Sequence, residues 1–297
     1  MKILVTGATG LVGTALCKLW QHEHQLVILT RSVKKAKQQL GDIGEIHSSL
    51  DTIDFNTLDA VVNLAGEPIA DKRWSESRKT LICQSRWLLT EAIASKILAA
   101  STPPHTLINA SAIGFYGRQS AERIDEGFVS FYPEFSHDVC ARWENLAKRC
   151  QSESTRVCIM RIGIVLSENG GALAKMLPAF KLGLGGRIGS GMQMMSWIHI
   201  DDLVDAFNFV LSNSAAQGIF NATAPMAVSN LQWTQLLGAR LAKKTPLPMP
   251  GFIVKLLFGE MADLLLFGQN VYPQKLLDSG FQFKYNQLRS ALASLSL

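Results

Sequence analysis

The stretch Thr6-Gly7-Ala8-Thr9-Gly10-Leu11-Val12-Gly13 follows an apolar run that begins at Lys2, and it opens a helical pattern of apolar residues. Its glycines have the spacing GxxGxxG. A turn that binds a pyrophosphate needs positive φ, a close backbone approach and tight helix packing, and glycine provides all three. The free N–H groups at the start of the helix attract phosphate oxygens. The stretch predicts a dinucleotide-binding loop, with a merely tight turn as the alternative, and we assign to the cofactor Gly7, Thr9, Gly10, Leu11, Val12 and Gly13.

Short apolar, β-branched runs alternate with amphipathic helical patterns through the first two-thirds of the chain. Nearly continuous apolar runs are typical of strands that are buried on both faces, and this alternation indicates βαβ units. The sequence therefore predicts an α/β fold with a Rossmann-type doubly wound parallel sheet, whose strands lie at 2–6, 25–30, 45–48, 60–64, 106–110, 156–161 and 218–221. The helices between them are predicted at 11–22, 34–40, 76–98, 137–151 and 201–211.

The alternation weakens after Ile162, where a glycine-rich stretch at 182–191 and prolines at 246, 248 and 250 interrupt the pattern. We interpret these segments as a smaller C-terminal lobe that binds the substrate. The predicted Rossmann domain covers 1–165 and about 196–221. The predicted lobe covers about 166–195 and 222–297.

Composition limits the kind of partner that the chain can have. Of 297 residues 47% are hydrophobic and 18% are charged, which excludes a disordered chain. The net charge of +5 suits a phosphorylated ligand, but basic and aromatic residues do not share one stripe, so we expect no nucleic acid partner. The histidines and the five cysteines lack metal-ligand spacing, and we therefore expect no metal.

The most apolar late segment, 251–268, contains Lys255, Glu260 and Asp263, so we expect no membrane span. The N-terminal strand lacks the features of a signal peptide, and the odd number of cysteines fits a reducing compartment. We expect a cytoplasmic protein with a small-molecule substrate. A homodimer is left open.

The end of the second predicted strand indicates which cofactor is bound. NAD-binding chains usually carry an acid there that holds the ribose 2′-hydroxyl. This sequence has Arg31 and Ser32 instead, followed by three lysines. A guanidinium can pair with a 2′-phosphate through a bidentate fork, and a serine can donate to it. The residues favour NADP(H) over NAD(H), while a solvated basic helix start is the alternative.

Several further motifs resemble the extended short-chain dehydrogenase/reductases over nearly the whole chain. They include Val61-Val62-Asn63-Leu64-Ala65-Gly66, Ser111-Ala112-Ile113-Gly114-Phe115-Tyr116-Gly117, Arg161, and Trp197-Ile198-His199-Ile200-Asp201-Asp202. A closer resemblance is to the YfcH-like NAD(P)-dependent epimerase subfamily. It rests on Gly66-Glu67-Pro68-Ile69-Ala70, Lys72-Arg73-Trp74, Ser85-Arg86, Cys140-Ala141-Arg142-Trp143-Glu144, Gly259-Glu260-Met261 and Pro273-Gln274-Lys275-Leu276-Leu277-Asp278-Ser279-Gly280-Phe281.

This resemblance implies a cofactor that lies across the carboxyl ends of the parallel strands. Ala65 and Gly66 match positions beside its ribose and pyrophosphate, while Gly163 and Ile164 match a loop that lines the nicotinamide. Ser111 matches the serine that holds the substrate oxygen. The family's tyrosine, and the lysine four residues after it, are absent.

Three residues are candidates to replace the missing acid–base pair. Tyr116 carries a phenol just past Ser111, with packing against the end of the sheet as the alternative. Cys140 stands where the lysine is expected, although a buried cysteine is usually inert. Glu144, one helical turn further, is expected to orient an arginine or backbone groups and not to transfer protons.

Basic residues near the predicted cleft are candidates for binding an anionic group. Lys72 and Arg73 follow the fourth strand, and Arg187 lies in the glycine-rich stretch; we assign these three to the substrate. Arg86, in the following helix, is a candidate for either the substrate or the cofactor, and we assign it to the cofactor. A network of surface salt bridges is the alternative.

Two functions remain open at this point. The first is an NADP-dependent epimerase/dehydratase-like oxidoreductase that acts on a sugar nucleotide or a small polar carbonyl compound. The second is a catalytically weak or inactive NADP(H)-binding redox sensor or regulatory protein. The missing tyrosine and lysine favour the second function, whereas Ser111 and the cleft-forming lobe favour the first.

Overall fold

The fold is known from a computed structural model that describes residues 1–297. Its strands are β1 (Lys2–Thr6), β2 (Gln25–Leu29), β3 (Glu45–His47), β4 (Ala60–Asn63), β5 (Thr106–Ala112), β6 (Arg123–Ile124), β7 (Arg156–Ile162), β8 (Ile164–Leu166), β9 (Met194–Met195), β10 (Trp197–His199), β11 (Gly218–Ala222), β12 (Val228–Ser229) and β13 (Asn270–Val271).

The helices alternate with the strands in the first two-thirds of the chain and dominate the last third. They are α1 (Leu11–Trp20), α2 (Val33–Leu40), α3 (Glu76–Ala99), α4 (Phe135–Lys148), α5 (Gly171–Lys181), α6 (Ile200–Ser212), α7 (Asn230–Arg240), α8 (Gly251–Phe258), α9 (Asp263–Leu266), α10 (Gln274–Asp278) and α11 (Leu288–Ser294). Four short 3-10 turns lie at Leu50–Thr52, Phe55–Thr57, Ile113–Tyr116 and Gly259–Ala262. None of the helices combines the length and apolar character needed to cross a lipid bilayer.

The central sheet has seven strands in the order β11-β7-β5-β4-β1-β2-β3. Every neighbouring pair in it is parallel. The predicted α/β, Rossmann-type sheet is therefore confirmed. From β1 the chain continues to β2 and β3 toward one edge of the sheet, whereas from β4 it continues to β5, β7 and β11 toward the other edge. Such a reversal of direction leaves a crevice between β1 and β4 at their carboxyl ends.

The sheet is covered by helices on both faces. Side chains of one strand alternate between the faces, so Ile3 belongs to a large apolar cluster with Leu16 and Phe207, from α1 and α6. Leu4, its neighbour, belongs to a second cluster on the opposite face with Ile93 of α3. Each of the two buried clusters holds its own set of helices against one face of the sheet. Helices on both faces are the defining feature of a doubly wound sheet.

A third apolar cluster lies outside the sheet and joins α5, α7 and α11 around Trp197 and Trp233. It corresponds to the predicted C-terminal lobe, whose boundaries stay a prediction. One part of that segment differs from the expectation, because Leu276, Phe281 and Phe283 pack into the large cluster beside the main sheet. The pairings β6–β13, β8–β10 and β9–β12, each of two or three residues, were not predicted, since such short strands leave no pattern in the sequence.

Candidate functional site

The turn between β1 and α1 has the backbone geometry of a phosphate-binding loop. Gly7 has φ of +70°, a conformation that favours glycine. A Cβ at Gly13 would lie 2.3 Å from the carbonyl oxygen of Gly7, so only glycine lets the helix pack this closely on the turn. No side chain caps α1 at Gly10, and no acid lies in its first turn. Its first N–H groups are free to bind phosphate oxygens, which fits a dinucleotide.

A residue that the sequence did not single out supports the same loop. The side-chain amide of Gln39, from α2, donates to the carbonyl oxygen of Thr9 at 2.9 Å and to the hydroxyl of Thr14 at 2.9 Å. These bonds tie the loop to the next helix. Their only signal in the sequence is a glutamine in an otherwise basic helix.

Arg31 extends from the end of β2, as predicted, and it is paired with an acid that was not expected. Its Nη1 lies 2.8 Å from Oε1 of Glu67, and 89% of the Arg31 side chain is exposed. Glu67 follows β4, and its second carboxylate oxygen lies 3.3 Å from Nη1 of Arg78. The hydrogen bond from Arg31, with a further one from Arg78, lowers the pKa of Glu67 below its usual range.

Ser32 caps helix α2, since its hydroxyl oxygen accepts a hydrogen bond from the N–H of Lys35 at 3.3 Å. The cap uses the oxygen as an acceptor, so the hydroxyl proton stays free to be donated to a ligand. Ser32 thus lies at the predicted place, beside Arg31, with a second role that the sequence reasoning did not assign.

The loop after β4 runs beside the phosphate loop. The hydroxyl oxygen of Thr6 accepts a hydrogen bond from the N–H of Ala65 at 3.3 Å. A Cβ at Gly66 would lie only 2.8 Å from Cζ of Arg86, so Arg86 packs directly against this loop. Its guanidinium also covers the ring of Trp143, with Cζ 5.1 Å from the ring centre. Arg86 is therefore next to the predicted cofactor loop but is engaged with protein groups.

Gly163 and Ile164 connect β7 to β8 at the carboxyl edge of the sheet. The N–H of Gly163 donates to the carbonyl oxygen of Ala222 at 3.0 Å, and that of Ile164 donates to Ser196 at 2.8 Å. A Cβ at Gly163 would lie 2.7 Å from the Ser196 oxygen. The tight passage places this loop at the same edge as Ser111, whose partner in the neighbouring strand is Arg161.

Ser111 is joined to a buried ion pair at that edge. Its hydroxyl donates to Oε1 of Glu144 at 2.8 Å. Arg161 donates two hydrogen bonds to the same carboxylate, from Nε and from Nη2, both 2.8 Å long. The side chains of Glu144 and Arg161 are only 1% and 2% exposed. Glu144 thus contacts an arginine, as its expected orienting role requires, and its contact with Ser111 was not predicted.

Tyr116 does not have the placement of an acid or base. The residue is fully buried, and its hydroxyl donates to Oδ1 of Asn221 at 2.8 Å. Burial raises the pKa of Tyr116. The alternative interpretation, packing against the end of the sheet, describes this geometry, and we do not carry Tyr116 into the proposed site.

Cys140 lies where the family resemblance expected it, facing the end of β5. The residue is buried, and its burial, together with the nearby charge of Glu144, raises the pKa of the thiol to about 11. A thiol with such a pKa stays protonated at neutral pH and is a poor nucleophile. The other four cysteines are likewise buried and free.

The three basic residues assigned to the substrate have different surroundings. Arg73 lies beside Gly259, with Nη2 3.1 Å from the place that a Cβ there would take. Arg187 donates to the carbonyl oxygens of Gly189 and Ser190, at 2.9 Å each, and so closes its own loop. Lys72 is exposed. Arg73 and Arg187 thus contact different segments of the chain, and the assignment of Lys72, Arg73 and Arg187 to the substrate stays a prediction.

Ion pairs connect the loop after β4 and the start of α3 with segments later in the chain. Lys175 of α5 pairs with Asp71, and Lys79 of α3 pairs with Glu260. The two members of each pair are far apart in sequence, so no local sequence pattern predicts these ion pairs.

Comparison with known families and structures agrees with this geometry. The NAD dependent epimerase/dehydratase family matches residues 3–223, and a domain of unknown function, DUF1731, matches residues 249–295. The human epimerase family protein SDR39U1 is 35% identical over 299 residues, which cover 99% of each chain. A chloroplastic homologue from Arabidopsis thaliana is 38% identical over 99% of this chain and 86% of its own length.

Solved structures resemble the whole chain. Human SDR39U1 with NADPH superposes with a TM-score of 0.90, at 34% identity and 98% coverage of both chains. UDP-glucuronic acid 4-epimerase from Bacillus cereus, with a TM-score of 0.78, covers 99% of this chain and 97% of its own, but its 15% identity supports the fold alone. The chain therefore belongs to the NAD-dependent epimerase/dehydratase family of extended short-chain dehydrogenase/reductases, alongside the SDR39U1 epimerase family proteins.

Proposed function

We propose that the chain binds NADP(H) and acts as an epimerase/dehydratase-like oxidoreductase on a sugar nucleotide or a small polar carbonyl compound. The observation that carries the cofactor choice is the exposed guanidinium of Arg31 at the end of β2, beside a phosphate loop with free N–H groups. The human relative, whose structure contains NADPH, supports the same choice. When bound, the cofactor supplies or accepts a hydride at its nicotinamide.

We assign contact with the substrate to Ser111, which lies at the carboxyl end of β5 and is 3% exposed. Its proton is donated to Glu144, so its oxygen offers lone pairs to a further partner. Such a serine accepts a hydrogen bond from a substrate hydroxyl and fixes that hydroxyl at the carboxyl edge of the sheet. Arg161 keeps the Glu144 carboxylate in place and thereby fixes the orientation of Ser111.

The alternative is an NADP(H)-binding redox sensor or regulatory protein with little or no catalysis. It is favoured by the burial of Tyr116 and of Cys140, because burial raises the pKa of both groups. Steady-state oxidation of NADPH with a panel of carbonyl compounds, and reduction of NADP⁺ with alcohols and sugar nucleotides, separates the two functions. A cytoplasmic location belongs to this proposal and is supported by the five free cysteines. The homodimer stays a prediction.

Arg31→Asp is expected to weaken NADPH binding roughly ten- to a hundredfold, because a charge-assisted contact is worth about 1.5–3 kcal/mol. The affinity for NADH should rise, since the new carboxylate can accept the ribose 2′-hydroxyl. Calorimetric titration of both cofactors measures the effect. Arg149→Asp is the matched control, because Arg149 is also an exposed arginine, 2.9 Å from Glu91. Equal affinities of the wild type for NADPH and NADH would contradict the assignment of Arg31.

Ser111→Ala is expected to abolish whatever turnover the wild type has while leaving NADPH affinity unchanged. Tyr116→Phe should keep that turnover, because the buried phenol is bonded to Asn221 and does not face a ligand. The two variants are compared by kcat on the same substrate and by calorimetry with NADPH. Loss of turnover in Tyr116→Phe, with the cofactor still bound, would return the acid–base role to Tyr116.

A further inference from the structure

Glu67 is a rigidly held carboxylate beside the expected site of the cofactor's 2′-phosphate. Its N–H donates to the hydroxyl oxygen of Ser85 at 3.0 Å. Its Oε2 lies 3.3 Å from Nη1 of Arg78, and the two side chains are only 16% and 12% exposed. The other end of the Arg78 guanidinium, Nη2, donates to the carbonyl oxygen of Pro68. Helix α3 therefore fixes Glu67 through both its backbone and its carboxylate.

Arg31 is held much less firmly than Glu67. Its side chain is 89% exposed, and its guanidinium is bonded to the single carboxylate oxygen Oε1 of Glu67. An exposed ion pair of this kind contributes little stability and loses a long side chain's freedom. Four of the five N–H donors of Arg31 have no protein acceptor, so they can bond to a phosphate.

Glu67 does not become an unpaired charge when Arg31 moves away. Arg78 remains beside it, and Nε of Arg78 is itself buried without any hydrogen-bond partner. The pair Glu67–Arg78 thus has spare donor capacity. If Arg31 turns from Glu67 to a phosphate, the phosphate is paired with Arg31 and the Glu67 carboxylate is still paired with Arg78.

We propose that Glu67 limits the preference of this chain for NADPH over NADH, by competing with the 2′-phosphate for Arg31. A fixed carboxylate repels the phosphate dianion and reduces the effective charge of the arginine that binds it. The same carboxylate can accept a hydrogen bond from the ribose 2′-hydroxyl of NADH, as the acid at the end of the second strand does in NAD-binding chains. This inference rests on the proposed NADP(H) binding and concerns its selectivity.

The test is Glu67→Gln, titrated with NADPH, NADH, adenosine 2′,5′-bisphosphate and AMP. The last two ligands differ only in the 2′-phosphate, and binding is read by calorimetry without any need for turnover. Removal of one negative charge next to a dianion should tighten NADPH and the bisphosphate on the order of tenfold. NADH and AMP should bind unchanged or more weakly. Glu91→Gln is the matched control, because Glu91 is paired with Arg149 at 2.9 Å.

The outcomes separate this inference from the proposed function. If the wild type binds neither NADPH nor the bisphosphate, the proposed function fails. If the wild type binds them and Glu67→Gln binds them equally or more weakly, Glu67 only positions Arg31 and the inference is overturned. Thermal unfolding checks that Glu67→Gln is folded. If it is not folded, Glu67→Ala is used instead, and it should shift the affinities in the same direction.

Discussion

Arg161→Leu is expected to lower the free energy of unfolding by about 3–5 kcal/mol, because removal of one partner leaves a buried carboxylate unpaired. The partner is Glu144, whose carboxylate accepts both hydrogen bonds of the Arg161 guanidinium. The nearest remaining cation, Lys148, has Nζ 3.7 Å from Glu144 and is 40% exposed, so it compensates only in part. Urea denaturation of the wild type and the variant at neutral pH measures the loss.

The double variant Glu144→Leu/Arg161→Leu is the control for this result. Replacement of both charges by apolar side chains removes the unpaired carboxylate, so it should recover a large part of the stability lost by the single variant. The recovery remains incomplete, since the Ser111 hydroxyl loses its acceptor. If the single variant loses less than about 1 kcal/mol of unfolding free energy, water or Lys148 compensates the Glu144 carboxylate. The Glu144–Arg161 pair would then behave as a solvent-accessible ion pair.

Much of the fold was predictable from the sequence because the central strands are short, apolar and buried on both faces. All seven strands of the sheet were predicted within two residues of their observed bounds, as for β1 (Lys2–Thr6) and β5 (Thr106–Ala112). The glycine turn was equally accessible, because Gly7 and Gly13 occupy places where a Cβ collides with backbone atoms. At Gly13 the collision is with Gly7 and Ala8, only a few residues away, and such a constraint leaves a local pattern. At Gly7 the collision is with Leu64 and Ala65, and the local constraint there is the positive φ of the turn.

The candidate site was less predictable, because its contacts join segments that are distant in sequence. No acid follows β2 in the sequence, but the structure places one beside Arg31, because Glu67 reaches it from the loop after β4. The strand order β4-β1-β2 brings these two strand ends within reach, and it is known only once the sheet is assembled. In the same way, the buried hydroxyl of Tyr116 donates to Asn221, which lies more than a hundred residues away.

Gly13→Ala is expected to weaken NADPH binding roughly ten- to a hundredfold, the loss that follows when one hydrogen bond to a charged phosphate, about 1.5–3 kcal/mol, is broken. The new Cβ would lie 2.3 Å from the carbonyl oxygen of Gly7 and 2.7 Å from Cα of Ala8. Both neighbours are backbone atoms that cannot swing aside, so helix α1 must shift away from the loop. The shift would move the free N–H groups at the start of α1 away from the phosphates that they are proposed to bind.

The same overpacking should also lower the free energy of unfolding of Gly13→Ala by about 1–3 kcal/mol. Gly127→Ala is the matched control, since its Cβ would meet only the carboxylate of Asp125 at 3.3 Å, the end of a flexible side chain. Calorimetry with NADPH and urea denaturation of both variants give the two quantities separately. Wild-type NADPH affinity in a folded Gly13→Ala would mean that the phosphates are bound elsewhere, because a loop whose amides have moved cannot keep the same contacts.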